Sequence, residues 1–276
     1  MTKYSEAVKT AQAYYNSDDA ENFYSRLWGG EDIHIGLYRS EDEPIIDASH
    51  RTVQRMAAQL GDKLKGAKVI DIGGGYAGSA RYLAREYGCE VVSLNLSEVQ
   101  NERGRQQNAE QGLDDKVTIV DGDFENIPHD DASFDIVWSQ DAMLHSGNRA
   151  RVLAEAVRVL KPGGSFIFTD PMQADDCPNG VLGPVLDRIQ LETMGSPGFY
   201  RDELGKLGLS EHSFDDQTHQ LPVHYDRVRQ ELDARAEQLT DAISDEYVAN
   251  MRRGLQHWVD AGNAGHLAWG IMRFDA

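Results

Sequence analysis

The 276-residue chain is short of the features that mark secreted, metal-binding or membrane proteins. Its two cysteines, Cys89 and Cys177, form neither a disulfide framework nor a metal-ligand spacing. No window approaches ~18 uninterrupted apolar residues, so no membrane-spanning helix is expected. The opening MTKYSEAVKTAQAYY lacks the apolar segment of a secretory signal, and the expectation is a cytoplasmic protein. Lysine is scarce: 8 of the 27 basic residues are Lys and 19 are Arg, set against 46 acidic residues for a net charge of −19. A field of that sign repels a phosphate backbone and argues against a nucleic-acid partner. No basic amphipathic face is present for a lipid surface. A Lys-poor acidic surface suits both an ordinary soluble enzyme and a protein working in concentrated salt, where screening weakens self-repulsion.

The length and the 40% hydrophobic content fit one globular unit over residues 1–276 with a cap or lid. Residues 4–28 read as helical. DAENFYSRLWGG gives a capping pattern at Asp18 and Glu21, and Gly29-Gly30 gives a stop. A second helix ends at Gly61, completing an N-terminal helical cap over 1–64. Short apolar strands then alternate with helices: AKVIDI (67–72), EVVSLNL (90–96), VTIV (117–120), FDIVWS (134–139) and GSFIFTD (164–170). The clearest helix covers 147–160, where Val152, Leu153, Ala156, Val157 and Leu160 share a face. This alternation predicts an α/β fold with a doubly wound, mostly parallel sheet, its cofactor-binding core over 65–170. Residues 171–198, around a helix in LGPVLDRIQLETMG, read as a lid insertion at the carboxyl edge of the sheet, where such folds bind ligands. Within 199–276, SEHSFDD is a sixth strand, 223–262 is mostly helical and HLAWGIMRF is a last, seventh strand.

The glycines of VIDIGGGYAGSARYLA, at Gly73, Gly75 and Gly78, fit G-x-G-x-x-G, which leaves open which adenosine cofactor the turn holds. Asp71 directly precedes them, giving D-x-G-x-G, and some 65 residues of helix come first, unlike most nicotinamide domains. Asn95 ends the second strand where a residue must meet ribose hydroxyls. Gln100 follows one turn on, and with Ser97 it also forms an S-x-x-Q capping box. Asp123 and Phe124, in DGDFENIP, are placed to meet an adenine amine and its ring face. With FDIVWSQDAMLHS and LKPGG in this order, residues 67–170 resemble the class I S-adenosylmethionine-dependent methyltransferases. The resemblance implies the seven-stranded Rossmann-like sheet of that class and S-adenosylmethionine as cofactor, with S-adenosylhomocysteine as product. Its cofactor residues would be Trp28, Asp71, Gly73, Gly74, Gly75, Asn95, Leu96, Gln100, Asp123, Phe124 and Gln140. Asn95 departs from the usual acidic ribose ligand but still offers a donor and an acceptor.

The flanking segments FYSRLWGGEDIHIGLY, WSQDAMLHS, FTDPMQADDCPNGVLGPVLDRIQLETMGSPGFYR and RRGLQHWVDAGNAGHLAWG resemble the sarcosine/dimethylglycine N-methyltransferases, which make the osmolyte glycine betaine. The likeness runs nearly end to end. It implies sarcosine and N,N-dimethylglycine as substrates. A phosphobase or natural-product methyltransferase is the alternative, though a phosphobase calls for a cationic pocket. A third reading is a protein that binds the cofactor without turnover. Cyclopropane-fatty-acid synthases share this layout but carry a Glu where this chain has Leu144 before His145.

Transfer of a sulfonium methyl to an amine asks mainly for positioning, desolvation and removal of one proton. His145 and Asp141 are the titratable candidates, and His145 is preferred because its unperturbed pKa lies near neutrality; orienting a loop is its other reading. A quaternary ammonium product donates no N–H, so aromatic faces are its natural recognition element. Tyr24, Tyr38 and Tyr200 are the substrate-side candidates, together with Trp28. A carboxylate calls for a fork-shaped donor, Arg188 or Arg26, with Arg201 behind them. His34 and Met172 complete the expected substrate site. No metal is expected.

Overall fold

The computed structural model describes residues 12, 16–28, 30–189, 191–235 and 243–276, the side chains of Asp18, Ser25 and Arg26 excepted. The start of the helix expected over 4–28 lies outside the described residues. Its described part is α1 (Asp18–Phe23), followed by a π turn over Tyr24–Trp28. The cap is Ser17, not Asp18: the Ser17 side chain accepts from Ala20 N. Helix α2 (Ile45–Leu60) buries Val53, Met56, Ala57 and Leu60 and stops at Gly61, whose φ of 54° suits glycine.

Five strands then form the parallel part of the sheet: β1 (Lys68–Ile72), β2 (Glu90–Asn95), β3 (Val117–Asp121), β4 (Phe134–Gln140) and β5 (Leu160–Thr169). Helices α3 (Gly78–Tyr87), α4 (Glu98–Gln111) and α5 (Arg149–Val159) connect them. With β7 (Ser210–Asp216) and β9 (Gly270–Asp275) the order is β3-β2-β1-β4-β5-β9-β7. Only β9 runs antiparallel to its neighbours. Successive strand residues face opposite layers, as the pleat requires. Ile70, Ile72, Val137, Phe166 and Phe168 pack with α5, while Val69, Ile136, Trp138 and Ile167 pack with α2 and α3. The order reverses between β1 and β4, so the loops leaving these two strands part and open a crevice at their carboxyl ends.

The carboxyl-terminal half departs from the expected pattern. The helix expected in 182–195 is the short α6 (Gly183–Ile189). Unforeseen, α7 (Pro197–Lys206) starts where Ser196 caps it and Pro197 occupies its first turn. HLAWGIMRF is two strands, because the chain breaks at Trp269. Leu267–Ala268 (β8) pairs with Met172–Gln173 (β6), and β9 joins the main sheet. Helices α8 (Gln220–Arg235) and α9 (Asp245–Asn263) pack with α1, the π turn and α6 into an apolar cluster above the crevice. No helix among the described residues is long and apolar enough to cross a membrane.

Candidate active site

The crevice encloses about 720 Å³ of space open to solvent, the scale of a nucleoside-sized ligand. The glycine turn after β1 brings its walls together. Gly73 has φ 84°, a Cβ there would fall on Cβ of Ala142, and the Phe124 ring passes 3.7 Å from the same point. A Cβ on Gly74 would strike Oγ of Ser93 and lie 2.9 Å from Asp71 Oδ2. The turn after β1 can therefore close against strand β2 and the turn after β4 only with glycine at these positions.

At the end of β2, Asn95 Nδ2 donates to Gly75 O (3.4 Å), Gln100 Oε1 (3.1 Å) and Asn101 Oδ1 (3.1 Å). Three acceptors around Nδ2 fix the amide orientation and leave Oδ1 for a ribose hydroxyl. Gln100 has only half of a capping box: its backbone N–H reaches Ser97 Oγ (3.3 Å), but its side chain is turned to Asn95. Asp123 Oδ1 accepts from Glu125 N (2.8 Å), which orders the turn after β3, and burial raises this carboxyl above its ordinary range. Leu96 and Phe124 supply apolar wall.

A second lobe of about 300 Å³ adjoins the first behind Gly73 and Gly75. Gln140 lies between them. Its Oε1 accepts from Ser79 Oγ (2.5 Å) and Trp138 Nε1 (2.9 Å), and its Nε2 is buried with no partner among the described residues. Asp71 faces the same lobe, and burial pushes its carboxyl up to about 7. Asp32 and His34 close the far side, with Asp32 Oδ1 3.8 Å from His34 Nε2 and Oδ2 3.2 Å from His50 Nδ1. Burial would raise the Asp32 carboxyl, but the two imidazoles outweigh it and hold it well below the usual range. Burial would lower His34, and Asp32 together with Asp141 outweighs that and raises it.

The turn after β4 carries the remaining chemistry. Asp141 sits in the left-handed region at φ 49°. Its Oδ2 accepts from Ile35 N (2.7 Å) and its Oδ1 from Trp269 Nε1 (2.8 Å). These two bonds make Asp141 a clasp joining the cap loop to the carboxyl-terminal strands. His145 lines the cleft at the end of a short 3₁₀ turn, Met143–His145. Desolvation, and then the positive charge of Arg188, pushes its imidazole down to about 4. That turn is held from behind: Asp170 Oδ1 accepts from Leu144 N (3.0 Å) and Oδ2 from Tyr200 Oη (2.5 Å).

Of the residues expected from sequence, Gly73, Gly75, Asn95, Leu96, Gln100, Asp123, Phe124, Gln140 and His145 line the main cleft, and Asp71, Gly74 and His34 line the second lobe. Several are corrected. Tyr200 is fully buried among Phe168 and Phe199 and supports the His145 turn without facing the cleft. Tyr38 is tied to His224 Nδ1 (2.9 Å), and Met172 is buried in β6; neither lines the cleft. Trp28 donates to His34 O (3.3 Å) and packs with Tyr24 in the apolar cluster, one shell behind the walls. Arg201 pairs with Glu211 across α7 and β7. The Arg26 side chain lies outside the described residues. Arg188 reaches the same cluster from α6, its Nη2 3.2 Å from Met251 Sδ. Missed by sequence reading were Ile33, Ser97 and Ala142 in the main wall and Asp32 and Ser79 in the second lobe. Asp32 stood two residues before His34, the one signal that pointed to it.

These residues fit the adenosyl cofactor. The buried amide of Gln140 lacks an acceptor, which a carboxylate supplies. Burial outweighs the charge of His34 at Asp71, and an α-ammonium would pair with this desolvated carboxyl. Among the described residues no group of His, Cys, Asp and Glu is gathered to hold a metal.

Residues 70–168 match the family model described as a methyltransferase domain. Over 99% of its length the chain is 60% identical to a sarcosine/dimethylglycine N-methyltransferase of Halorhodospira halochloris, covering 98% of that protein. It is 55% identical to the enzyme of the same description from Aphanothece halophytica, over 99% of each chain. A crystal structure from Galdieria sulphuraria, assigned as a sarcosine dimethylglycine methyltransferase, superposes with a TM-score of 0.90 at 43% identity, covering 95% of this chain and 98% of that one.

Proposed function

The chain belongs to the family of sarcosine/dimethylglycine N-methyltransferases, and on that premise we propose that it methylates sarcosine to dimethylglycine and dimethylglycine to glycine betaine. When bound, S-adenosylmethionine supplies an electrophilic sulfonium methyl. The chain holds its ribose through Asn95 and Gln100, its adenine between Leu96, Asp123 and Phe124, and its amino-acid end through Gln140 and Asp71.

Substrate is held by opposite charge at one end and apolar surface at the other. The Arg188 guanidinium takes the carboxylate, a fork-shaped donor meeting two acceptor oxygens. Tyr24 and Trp28 share the apolar cluster of Leu144, Val185 and Met251 one shell behind the cleft, and back the apolar surface that receives the methylated nitrogen. The reacting nitrogen must be unprotonated. On neutral sarcosine, which keeps one N–H, a neutral His145 accepts that hydrogen bond and orients the lone pair, whereas neutral dimethylglycine has no N–H and is oriented by the cleft alone. An imidazole held near 4 is too weak to take the proton outright; desolvation beneath the helical cover favours its loss to solvent before closure. The observation that carries this reading is His145 on the wall of an adenosyl-sized cleft, with Arg188 of the lid helix near enough for its positive charge to depress the imidazole.

Arg188→Ala raises the KM for sarcosine and dimethylglycine about 10- to 100-fold, the loss of a charge-assisted pair, and leaves the cofactor Kd unchanged. Initial rates across glycine, sarcosine and dimethylglycine, paired with cofactor titration, check both halves. An unchanged KM removes Arg188 from the site.

The position of His145 gives a pH prediction. Its folded-state value of about 4 lies below the ordinary 6.5, so it is neutral from about pH 5 upward. The kcat/KM profile for sarcosine accordingly has no acid limb at 6–7 that His145→Asn abolishes, although that substitution lowers kcat/KM about 10²-fold. A limb near 6.5 that disappears in the variant would show a solvated, titrating base instead.

A further inference from the structure

Helix α9 carries a glycine at its middle, Gly254, where alanine would be the better helix former. The backbone does not ask for it, since Gly254 is absent from the residues with positive φ. The neighbour that asks for it is Arg188. A Cβ on Gly254 would fall on Cδ and Nε of Arg188 and lie 2.9 Å from its Cγ. The arginine thus crosses α9 through the notch that the missing Cβ leaves, its Nη2 reaching Met251 Sδ one turn earlier. Three residues beyond Gly254, His257 Nδ1 donates to Pro184 O (3.2 Å), which fixes the other end of the lid helix α6 on α9. Two anchors on one face of α9 therefore set both the seat of the lid and the path of its cation.

We propose that Gly254 is a positioning residue for the amino-acid substrate: its notch in α9 sets the reach of the Arg188 guanidinium toward the substrate carboxylate. The inference deepens the reading of Arg188 given above and rests on it. A methyl at 254 occupies the place of Cδ and Nε, so the side chain must leave its path from Cγ outward. The guanidinium is planar and its two parallel N–H bonds are directional, so a sideways shift costs the bidentate contact even though the charge is retained. The cofactor lies elsewhere, bounded by the turns after β1 to β4, and is not touched by the change.

The test uses the full-length enzyme with Gly254→Ala, Arg188→Ala and the double variant. For each, KM and kcat for sarcosine and dimethylglycine, the cofactor Kd and the Tm are measured. Gly254→Ala is expected to raise the KM for both amino acids about ten-fold, the loss of a charge-assisted hydrogen bond. The cofactor Kd stays within two-fold, and the Tm holds or rises because alanine favours the helix. In the Arg188→Ala background the same substitution changes KM less than two-fold, the signature of two residues acting through one contact. If Arg188→Ala raises KM and Gly254→Ala does not, the notch is overturned while the carboxylate reading stands. If Arg188→Ala leaves KM unchanged, the carboxylate reading falls and this inference with it. A Gly254→Ala chain that fails to fold, or that loses cofactor and substrate affinity together, also overturns the proposal, since the strain then falls on the helix and not on the arginine.

Discussion

Gly73→Ala weakens S-adenosylmethionine binding at least about 100-fold, equivalent to about 2.7 kcal/mol. Two costs add at this position. A φ of 84° puts any Cβ-bearing residue in the left-handed region, at about 1–2 kcal/mol. The new methyl also meets Cβ of Ala142, and overpacking a closed contact costs about 1–3 kcal/mol. The strain relaxes by moving the turn after β4, which carries Gln140, Asp141 and Ala142 and forms the opposite wall of the cleft. Gly163→Ala is the control. It has φ 79° with nothing within 4 Å of its Cβ position, and it sits in the turn within β5, away from the cleft. That variant loses stability only and keeps its cofactor Kd within two-fold. Isothermal titration of the two variants decides the matter; equal affinities would mean that the turn after β4 is not held by Gly73.

The second large effect is on stability. Asp141→Ala strips the acceptors from two donors, the backbone N–H of Ile35 and the indole N–H of Trp269, both from buried residues. An orphaned buried donor costs about 1–3 kcal/mol, so the pair costs about 2–6 kcal/mol and lowers the Tm by roughly 5–15 °C. Asp141→Asn falls between, because an amide oxygen serves one donor while its NH2 faces the other, and asparagine tolerates the φ of 49°. A thermal melt ranking the alanine variant with wild type would show that the cap loop and the carboxyl-terminal strands are held together elsewhere.

What sequence made legible follows from the range of the forces involved. The strands β1 to β5, the glycine turn and the Asn95–Gln100 corner of the cleft come from local patterns: apolar runs, a D-x-G-x-G turn and residues at the carboxyl ends of strands. The Asp141 clasp joins segments around residues 35, 141 and 269, and no local pattern encodes such a meeting. HLAWGIMRF is apolar from Leu267 to Met272, so its periodicity hides the break at Trp269, whose indole is drawn to Asp141. Ser196-Pro197-Gly198 reads as a breaker, yet serine followed by proline is also how a helix begins, and α7 begins there. Tyr200 illustrates a different limit. The chemistry that would make it an ammonium ligand also suits it to a buried bond with Asp170, and only the fold decides which face it shows. Gly254 had a visible signal, an isolated glycine within a helical pattern, but its partner Arg188 lies 66 residues away.

The central claim is that one cleft holds an adenosyl sulfonium and a small zwitterion so that nitrogen attacks methyl. Incubating the purified chain with methyl-labelled S-adenosylmethionine and unlabelled dimethylglycine tests it most directly. The account predicts glycine betaine carrying one labelled methyl, formed in equal amount with S-adenosylhomocysteine, and about 10- to 100-fold less from the Arg188→Ala variant at low substrate. Cofactor that binds tightly while no label enters betaine, at low or at high salt, would contradict it.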